Sequence, residues 1–245
     1  MLSGLSKPLT RLNLTCTILS DFIHQNKFEG RGAFVPRPFY LLEKPIMEFN
    51  NGFYDLPSEK LATVVTSLEM LAKPALQPRE SKPDWELVKN DKPEAEWYRD
   101  LYRRIGEEWL WFSRAIMPED ELTAIICDPK VEIYALNVDG KTEGLLELDF
   151  RTDGECELAF LGVTENIISS GAGKWLMNHA INLAWDRNSI KRLWIHTCTL
   201  DHPRALPFYI RTGFTPYQRQ LEIADDPRIT GIYSRDTAGY FPVMG

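Results

Sequence analysis

The stretch Glu155-Cys-Glu-Leu-Ala-Phe-Leu-Gly-Val163 runs through Thr164-Glu-Asn-Ile-Ile-Ser-Ser170 into Gly171-Ala-Gly-Lys174, and on into Trp175-Leu-Met-Asn-His-Ala-Ile-Asn-Leu-Ala184. The first part is a short apolar run preceded by the turn pair Asp153-Gly154, the pattern of a β-strand. Period-two alternation would put Glu155, Glu157, Ala159 and Leu161 on one face of it. In the last part Leu176, Ala180, Leu183 and Ala184 recur at helical spacing, which predicts a helix over residues 171–187. A strand that passes through a glycine turn into a helix start aims several backbone N–H groups at one point. Such a point holds an anion.

Downstream, residues 192–200 (RLWIHTCTL) read as another strand. Pro203 opens a short helix that Gly213 ends in the left-handed cap position, and residues 214–223 give a last strand. Upstream, residues 60–70 (KLATVVTSLEM) are rich in β-branched side chains and predict a first strand. Residues 73–93 hold four prolines and many charges, which predicts a surface loop. Trp97, Leu101, Ile105 and Trp109 recur at i+4 within a helix predicted over 94–114, and a short helix over 119–127 carries Pro118 at its first turn. Strands over 131–138 and 144–150 are joined by Asp139-Gly140, a strong hairpin turn. The order is that of an α+β fold, not a repeating βαβ layout.

Residues 1–55 show no sustained period, and Pro36, Pro38, Pro45 and Asn50-Asn51-Gly52 punctuate them. The organisation read from the chain is an irregular N-terminal extension (1–57), one domain (58–222) and a polar C-terminal tail (223–245). Met47, just before the first well-patterned segment, is an alternative start. The hydroxyl-rich start with Lys7 and Arg11 faintly resembles a transit peptide, but Pro8 and a short apolar run make it a poor signal sequence.

A net charge of −7 over 245 residues argues against non-specific nucleic-acid binding and favours cationic partners such as amines. The four cysteines (Cys16, Cys127, Cys156, Cys198) show no CxxC and no Cys/His pair at metal spacing, and the histidines form no ligand set. Buried free thiols in a reducing compartment, no metal and a cytoplasmic location are the expectation. No apolar run reaches the roughly 18 residues of a membrane span.

Three anions suit such a glycine turn. A phosphate-binding loop of the G-x-x-x-x-G-K-[ST] type is disfavoured, because Gly171 precedes Gly173-Lys174 by only two residues and Trp175 replaces the hydroxyl. A dinucleotide site is disfavoured because Leu176 stands where the third glycine belongs. A coenzyme A diphosphate lying across the amides of Ser169, Ser170, Gly171, Ala172, Gly173 and Lys174 fits, with the helix dipole assisting. Glycines placed only for close packing of a helix entry remain the plain alternative.

Three motifs at consistent spacing carry a resemblance over roughly residues 58–222. These are Glu157-Leu-Ala-Phe-Leu-Gly-Val163 with the glycine turn behind it, Thr199-Leu-Asp-His-Pro-Arg-Ala205, and Phe208-Tyr209-Ile-Arg-Thr-Gly213-Phe214. Together they resemble the GCN5-related N-acetyltransferase (GNAT) superfamily. The chain departs from the family's Q/R-x-x-G-x-G/A turn in carrying Ile168 where Gln or Arg is usual. The resemblance implies a mixed, mostly antiparallel twisted sheet flanked by helices. It also implies acetyl-CoA as cosubstrate, with direct acetyl transfer to a primary amine on a small molecule or a protein, and leaves room for a homodimer. An acyl-CoA-binding sensor with the same fold and no turnover is the other class.

The resemblance further implies roles for individual residues. Glu157 would serve as general base, with His196 as rival, and Tyr209 as the acid that returns a proton to the thiolate. The Leu161 amide would polarise the thioester carbonyl, Val163 would pair with the pantetheine arm, and Asp201 would belong to the coenzyme site. Trp109, Trp111, Phe112 and Arg114 would face the acceptor. Each has a plainer reading: a solvated strand acid, a structural histidine, a packing tyrosine, core aromatics. A base is needed because an alkylamine of pKa near 10 is neutral only about once in a thousand at pH 7, a deficit of roughly 4 kcal/mol.

Overall fold

A computed structural model describes residues 49–75 and 82–244. The extension expected over 1–57 lies outside the described residues as far as residue 48, with Met47 and Cys16. One sheet of seven strands runs in the order β2-β3-β4-β5-β6-β1-β7. Its strands are β1 (Lys60–Met70), β2 (Trp85–Asn90), β3 (Val131–Val138), β4 (Lys141–Asp149), β5 (Glu155–Val163), β6 (Arg192–Cys198) and β7 (Thr215–Asp225). Every pairing is antiparallel except β5 with β6. The helices are α1 (Ala95–Gly106), α2 (Ser113–Ile116), α3 (Glu119–Ile126), α4 (Ala172–Trp185) and α5 (Ala205–Thr212). The α+β class and the mostly antiparallel sheet are as expected from the sequence. No helix among the described residues is long and apolar enough to cross a membrane.

Local chemistry explains most boundaries. Asp139 and Gly140 both take positive φ (50° and 75°), the two-residue turn that matches strand twist, so β3 and β4 form a tight hairpin. Gly213 ends α5 at φ 111°. Pro118 occupies the cap before α3 rather than its first turn. Two faces of the sheet are covered. Leu176, Met177, Ala180, Ile181 and Ala184 of α4 pack with Leu146, Leu158, Leu193 and Ile195 on one side. Tyr98, Leu101, Tyr102 and Ile105 of α1 pack with Ile133 and Leu145 on the other.

Several expectations are corrected. Residues 73–93 are not all loop: Trp85–Asn90 form the edge strand β2, paired with β3. The prolines that suggested a loop flank this segment, so its backbone donors are intact, and Trp85 gains an edge contact to Trp175 at 5.6 Å between ring centroids. The helix predicted to Arg114 stops at Gly106, gives one 3-10 turn (Glu107–Trp109), and restarts at α2. Leu110 between them is left-handed (φ 53°), which a leucine tolerates only when its surroundings hold it. Gly106 makes the fold-back possible, because a Cβ there would lie 2.4 Å from the Trp111 ring. Cys127 is exposed rather than buried.

A bulge in β5 also breaks the expected face. Opposite it, β4 pairs Glu147 with Phe160 and Leu148 with Leu158, leaving Ala159 as the extra residue. Parity flips there. Leu161 and Val163 pack on the α4 side with Cys156 and Leu158, whereas Phe160 and Gly162 face α1 and Trp111. Leu161 therefore does not share the face of Glu157.

Candidate active site

Strand β5 pairs with β6 only at Glu155–Arg192, Cys156–Leu193 and Glu157–Trp194, after which the two strands part. Thr164 donates its N–H to the Glu143 carbonyl at 2.8 Å, which sets the hydrogen-bonding phase between β4 and β5. In that phase Gly162 and Phe160 bond to β4, so the N–H and C=O of Leu161 and Val163 turn away from β4, toward the gap left by β6. A row of main-chain groups thus lines an open cleft.

The turn beyond β5 leads to the start of α4. Ser169 and Gly171 are both left-handed (φ 68° and 93°), and Gly171 is the residue before the helix. Ser170 spends its N–H on the Ile167 carbonyl, and Ala172 spends its own on Ser170 Oγ. The N–H groups of Gly171, Gly173 and Lys174 make no hydrogen bond among the described residues, and the helical ladder begins only with Trp175 bonding to Gly171. A Cβ built on Gly171 or Gly173 meets nothing within 4 Å. These glycines therefore do not serve close packing; they border open space at a helix N-terminus, a setting suited to phosphate. Ile168, the departure from the usual turn, is an exposed side chain beside it.

A cavity of about 100 Å³ opens at the parting of β5 and β6. Of the residues singled out from the sequence, Trp109, Trp111, Phe112, Leu161, His196, Asp201 and Tyr209 line it. Glu157 does not. It lies behind His196, with its Oε1 3.5 Å from Nδ1, and is buried (8% exposed). Burial alone would lower the His196 pKa; the hydrogen bond to Glu157 and its charge, with smaller help from Asp201 and Glu222, outweigh it, and the net shift is upward from 6.5. The histidine is thus held by a carboxylate on one nitrogen while its ring borders the cavity.

Tyr209 is buried, packs against Phe208 and Phe214, and its pKa is raised by burial and by the charge of Asp201. Asp201 joins two walls. One oxygen accepts from Trp111 Nε1 at 2.9 Å, and the other from Thr197 Oγ1 and the Cys198 N–H at 2.6 and 2.9 Å. Arg114, expected at the acceptor, is instead in the core: it is 1% exposed and donates to Glu147 Oε1 at 2.7 Å, while Tyr98 donates to the other oxygen. It carries the restart of α2 from below. Burial, with Asp201 alongside, pushes the cavity-lining Cys198 thiol up to about 12.

Sequence reading missed Leu61, Thr63, Glu222 and Ala224, which line the cavity from β1 and β7. They share one sheet face by alternation, and Thr63 stands opposite Glu222 in register. That alternation was visible in the sequence, but nothing local tied β1 and β7 to β6.

Residues 85–214 match the sequence profile of the Acetyltransferase (GNAT) family, more than half of the chain. The chain belongs to the GNAT acetyltransferase family. Among solved structures, a functionally unknown protein from Staphylococcus epidermidis ATCC 12228 is 16% identical with a TM-score of 0.50, covering 68% of this chain and 63% of that one. A Drosophila protein is 14% identical with a TM-score of 0.52, over 69% of this chain and 52% of that one. A GCN5-related N-acetyltransferase from Kribbella flavida is 16% identical with a TM-score of 0.45, over 71% and 63%. The chain spans less than two thirds of the length of each of these. The first two share the fold.

Proposed function

We propose that this GNAT acetyltransferase moves an acetyl group from acetyl-CoA directly to a primary amine. The observation that carries the reading is the set of uncommitted amides at Gly171, Gly173 and Lys174, at the mouth of a cleft edged by the backbone of Leu161 and Val163. Acetyl-CoA supplies an activated thioester. The three amides, with Ser169, Ser170 and Ala172 shaping the turn, hold its diphosphate, and Val163 hydrogen-bonds the pantetheine arm. The Leu161 N–H points where the thioester oxygen gains charge, a main-chain donor that needs no reorganisation.

On the opposite face, His196 takes a proton from the acceptor nitrogen, so that it attacks as a neutral amine, and Glu157 holds its Nδ1 and stabilises the charged imidazole. Tyr209, kept protonated by its raised pKa, gives a proton to the departing thiolate. The aromatic wall of Trp109, Trp111 and Phe112 holds the acceptor's carbon skeleton or its cation. Direct transfer is favoured over a covalent acyl-enzyme because Cys198, the cysteine bordering the cavity, is protonated at neutral pH and a poor nucleophile. The domain responsible is proposed to span residues 58–222.

Acetyl-CoA turnover measured with a panel of amines tests this. Release of CoA thiol that depends on one of the amines, and yields the N-acetylated product, is expected. Tight CoA binding by calorimetry with no acyl loss to any amine would instead make the protein an acyl-CoA sensor.

A further inference from the structure

The matched family region ends at residue 214, yet the acceptor side of the cavity is walled and backed by chain outside it. Residues 226–244, read from sequence as a polar tail, pack on the turn that presents Trp109, Trp111 and Phe112. Tyr233 and Ala238 form a buried cluster with Leu61, Leu110 and Leu200, against which Phe112, Cys198 and Phe241 also pack. Leu61, Leu110, Phe112, Cys198 and Leu200 of that cluster line the cavity as well. The tail itself contributes no lining residue, so it forms a second layer behind the wall.

Its polar contacts go to the same turn and to Leu200, just after β6. The Tyr233 hydroxyl donates to the Trp111 carbonyl, Thr237 Oγ1 bonds Glu107 at 3.3 Å, and the Tyr240 hydroxyl donates to the Leu200 carbonyl at 2.7 Å. The Tyr240 ring lies 6.0 Å from that of Trp109. The tail is in turn held by Arg228, which is 2% exposed. It pairs with both oxygens of Asp226 and donates to the carbonyls of Thr237, Ala238 and Phe241. The turn needs such support. It contains Leu110 at φ 53°, a strained conformation for a leucine, whose side chain is buried in the cluster with Tyr233 and Ala238.

We propose that residues 226–244 are a positioning element of the acceptor site, with Tyr233 and Arg228 its positioning residues, setting acceptor recognition while leaving coenzyme recognition to β5 and α4. The substrate part of this proposal rests on the N-acetylation reading; the structural part does not. Acceptor preference would then be set in part outside the region matched to the family, in β1, β7 and this segment.

The test compares wild type with Tyr233→Phe, which removes one hydroxyl, and with Arg228→Lys, which removes the fork that grips the tail's carbonyls. Hydrogen exchange followed by mass spectrometry should show faster exchange over residues 107–116 in both variants, with residues 165–185 unchanged. The acceptor KM should rise about tenfold in Tyr233→Phe, the scale of leaving one buried carbonyl unpaired. The acetyl-CoA KM should stay within about twofold, as expected when only one binding site is disturbed. Unchanged exchange over 107–116, or an equal rise in both KM values, overturns the proposal. If wild type acetylates no amine, the N-acetylation reading fails, and the exchange pattern alone still decides whether the tail positions the turn.

Discussion

The proposed coenzyme side and the proposed acceptor side of the cleft are built from different materials. The coenzyme side is main chain: unpaired groups of Leu161 and Val163, then the amides of Gly171, Gly173 and Lys174, all within one stretch of sequence. The proposed acceptor side is side chain: Leu61, Thr63, Trp109, Trp111, Phe112, His196 and Glu222, brought together from four separate segments. A main-chain site depends on turn geometry, so it tolerates changes of side chain such as Ile168 and leaves a local motif. A side-chain site depends on packing between distant elements, so it leaves no motif and changes readily. Mutations that act on one side and spare the other measure this division.

The largest effect is expected where the two sides meet. Tyr209→Phe keeps the ring packed between Phe208 and Phe214 but removes the hydroxyl, and should lower kcat by about 10²-fold, the usual worth of a positioned proton donor. Both KM values should change little. A steady-state measurement in both substrates checks it, and an unchanged kcat would remove Tyr209 from the chemistry.

Glu157→Gln sharpens the assignment of the base. With Glu157 present the His196 pKa lies above 6.5, so kcat/KM should rise with pH along a limb centred above that value, as the neutral imidazole appears. The variant loses the negative charge that helps to raise the pKa, while burial, which lowers it, remains. Its limb should therefore move to lower pH, with about a tenfold loss at the plateau as the imidazolium loses its partner. The same shift has a stability consequence. A histidine whose folded pKa exceeds its unfolded value of about 6.5 contributes stability below 6.5 that disappears as pH rises through the folded value. Thermal melts of wild type should show this decline, and those of Glu157→Gln should show less of it.

Gly106→Ala and Gly171→Ala separate the two sides directly. At Gly106 the added Cβ would lie 2.4 Å from Trp111, so the acceptor wall must shift, at a cost of about 1–3 kcal/mol for overpacking. The acceptor KM should rise and the acetyl-CoA KM hold. At Gly171 there is room for the methyl, but φ 93° strains any other residue by roughly 1–2 kcal/mol. Here the acetyl-CoA KM should rise by about tenfold, with the acceptor KM held. A joint rise in either variant would mean that the sides are not separate.

The same division explains what could be read from the chain. β1, β3 and β5 fall on the expected residues and the glycine turn leads into a helix as its spacing suggested, although Ser170 and Ala172 spend their amides within the turn, because alternation and turn chemistry are local. The edge strand β2 was hidden by prolines that flank it without interrupting it. The break at Gly106 was hidden by a helical stripe running on to Trp109; what ends the helix is Trp111 folding back on the glycine, a contact invisible in the spacing. The bulge at Ala159 could not be read, since it is set by register against β4, and it moved Leu161 to the other face. Arg114 looked like an acceptor residue because its partner, Glu147, is 33 positions away on β4.

The smallest expected effect is also a close test of the main-chain claim. Lys174 carries the one positive charge within the turn 169–174, and a reading based on charge would make it a principal ligand. In the structure its N–H is one of the uncommitted amides of the turn, and that N–H survives in Lys174→Met along with the helix dipole. The acetyl-CoA KM should therefore rise by no more than about threefold, the size of one screened surface charge contact. That small loss should shrink further at high salt, because only the side-chain part is screened. A loss of a hundredfold that salt largely removes would mean that the ammonium and not the turn holds the coenzyme. The coenzyme side would then be a side-chain site like its neighbour, and the contrast between the two would vanish.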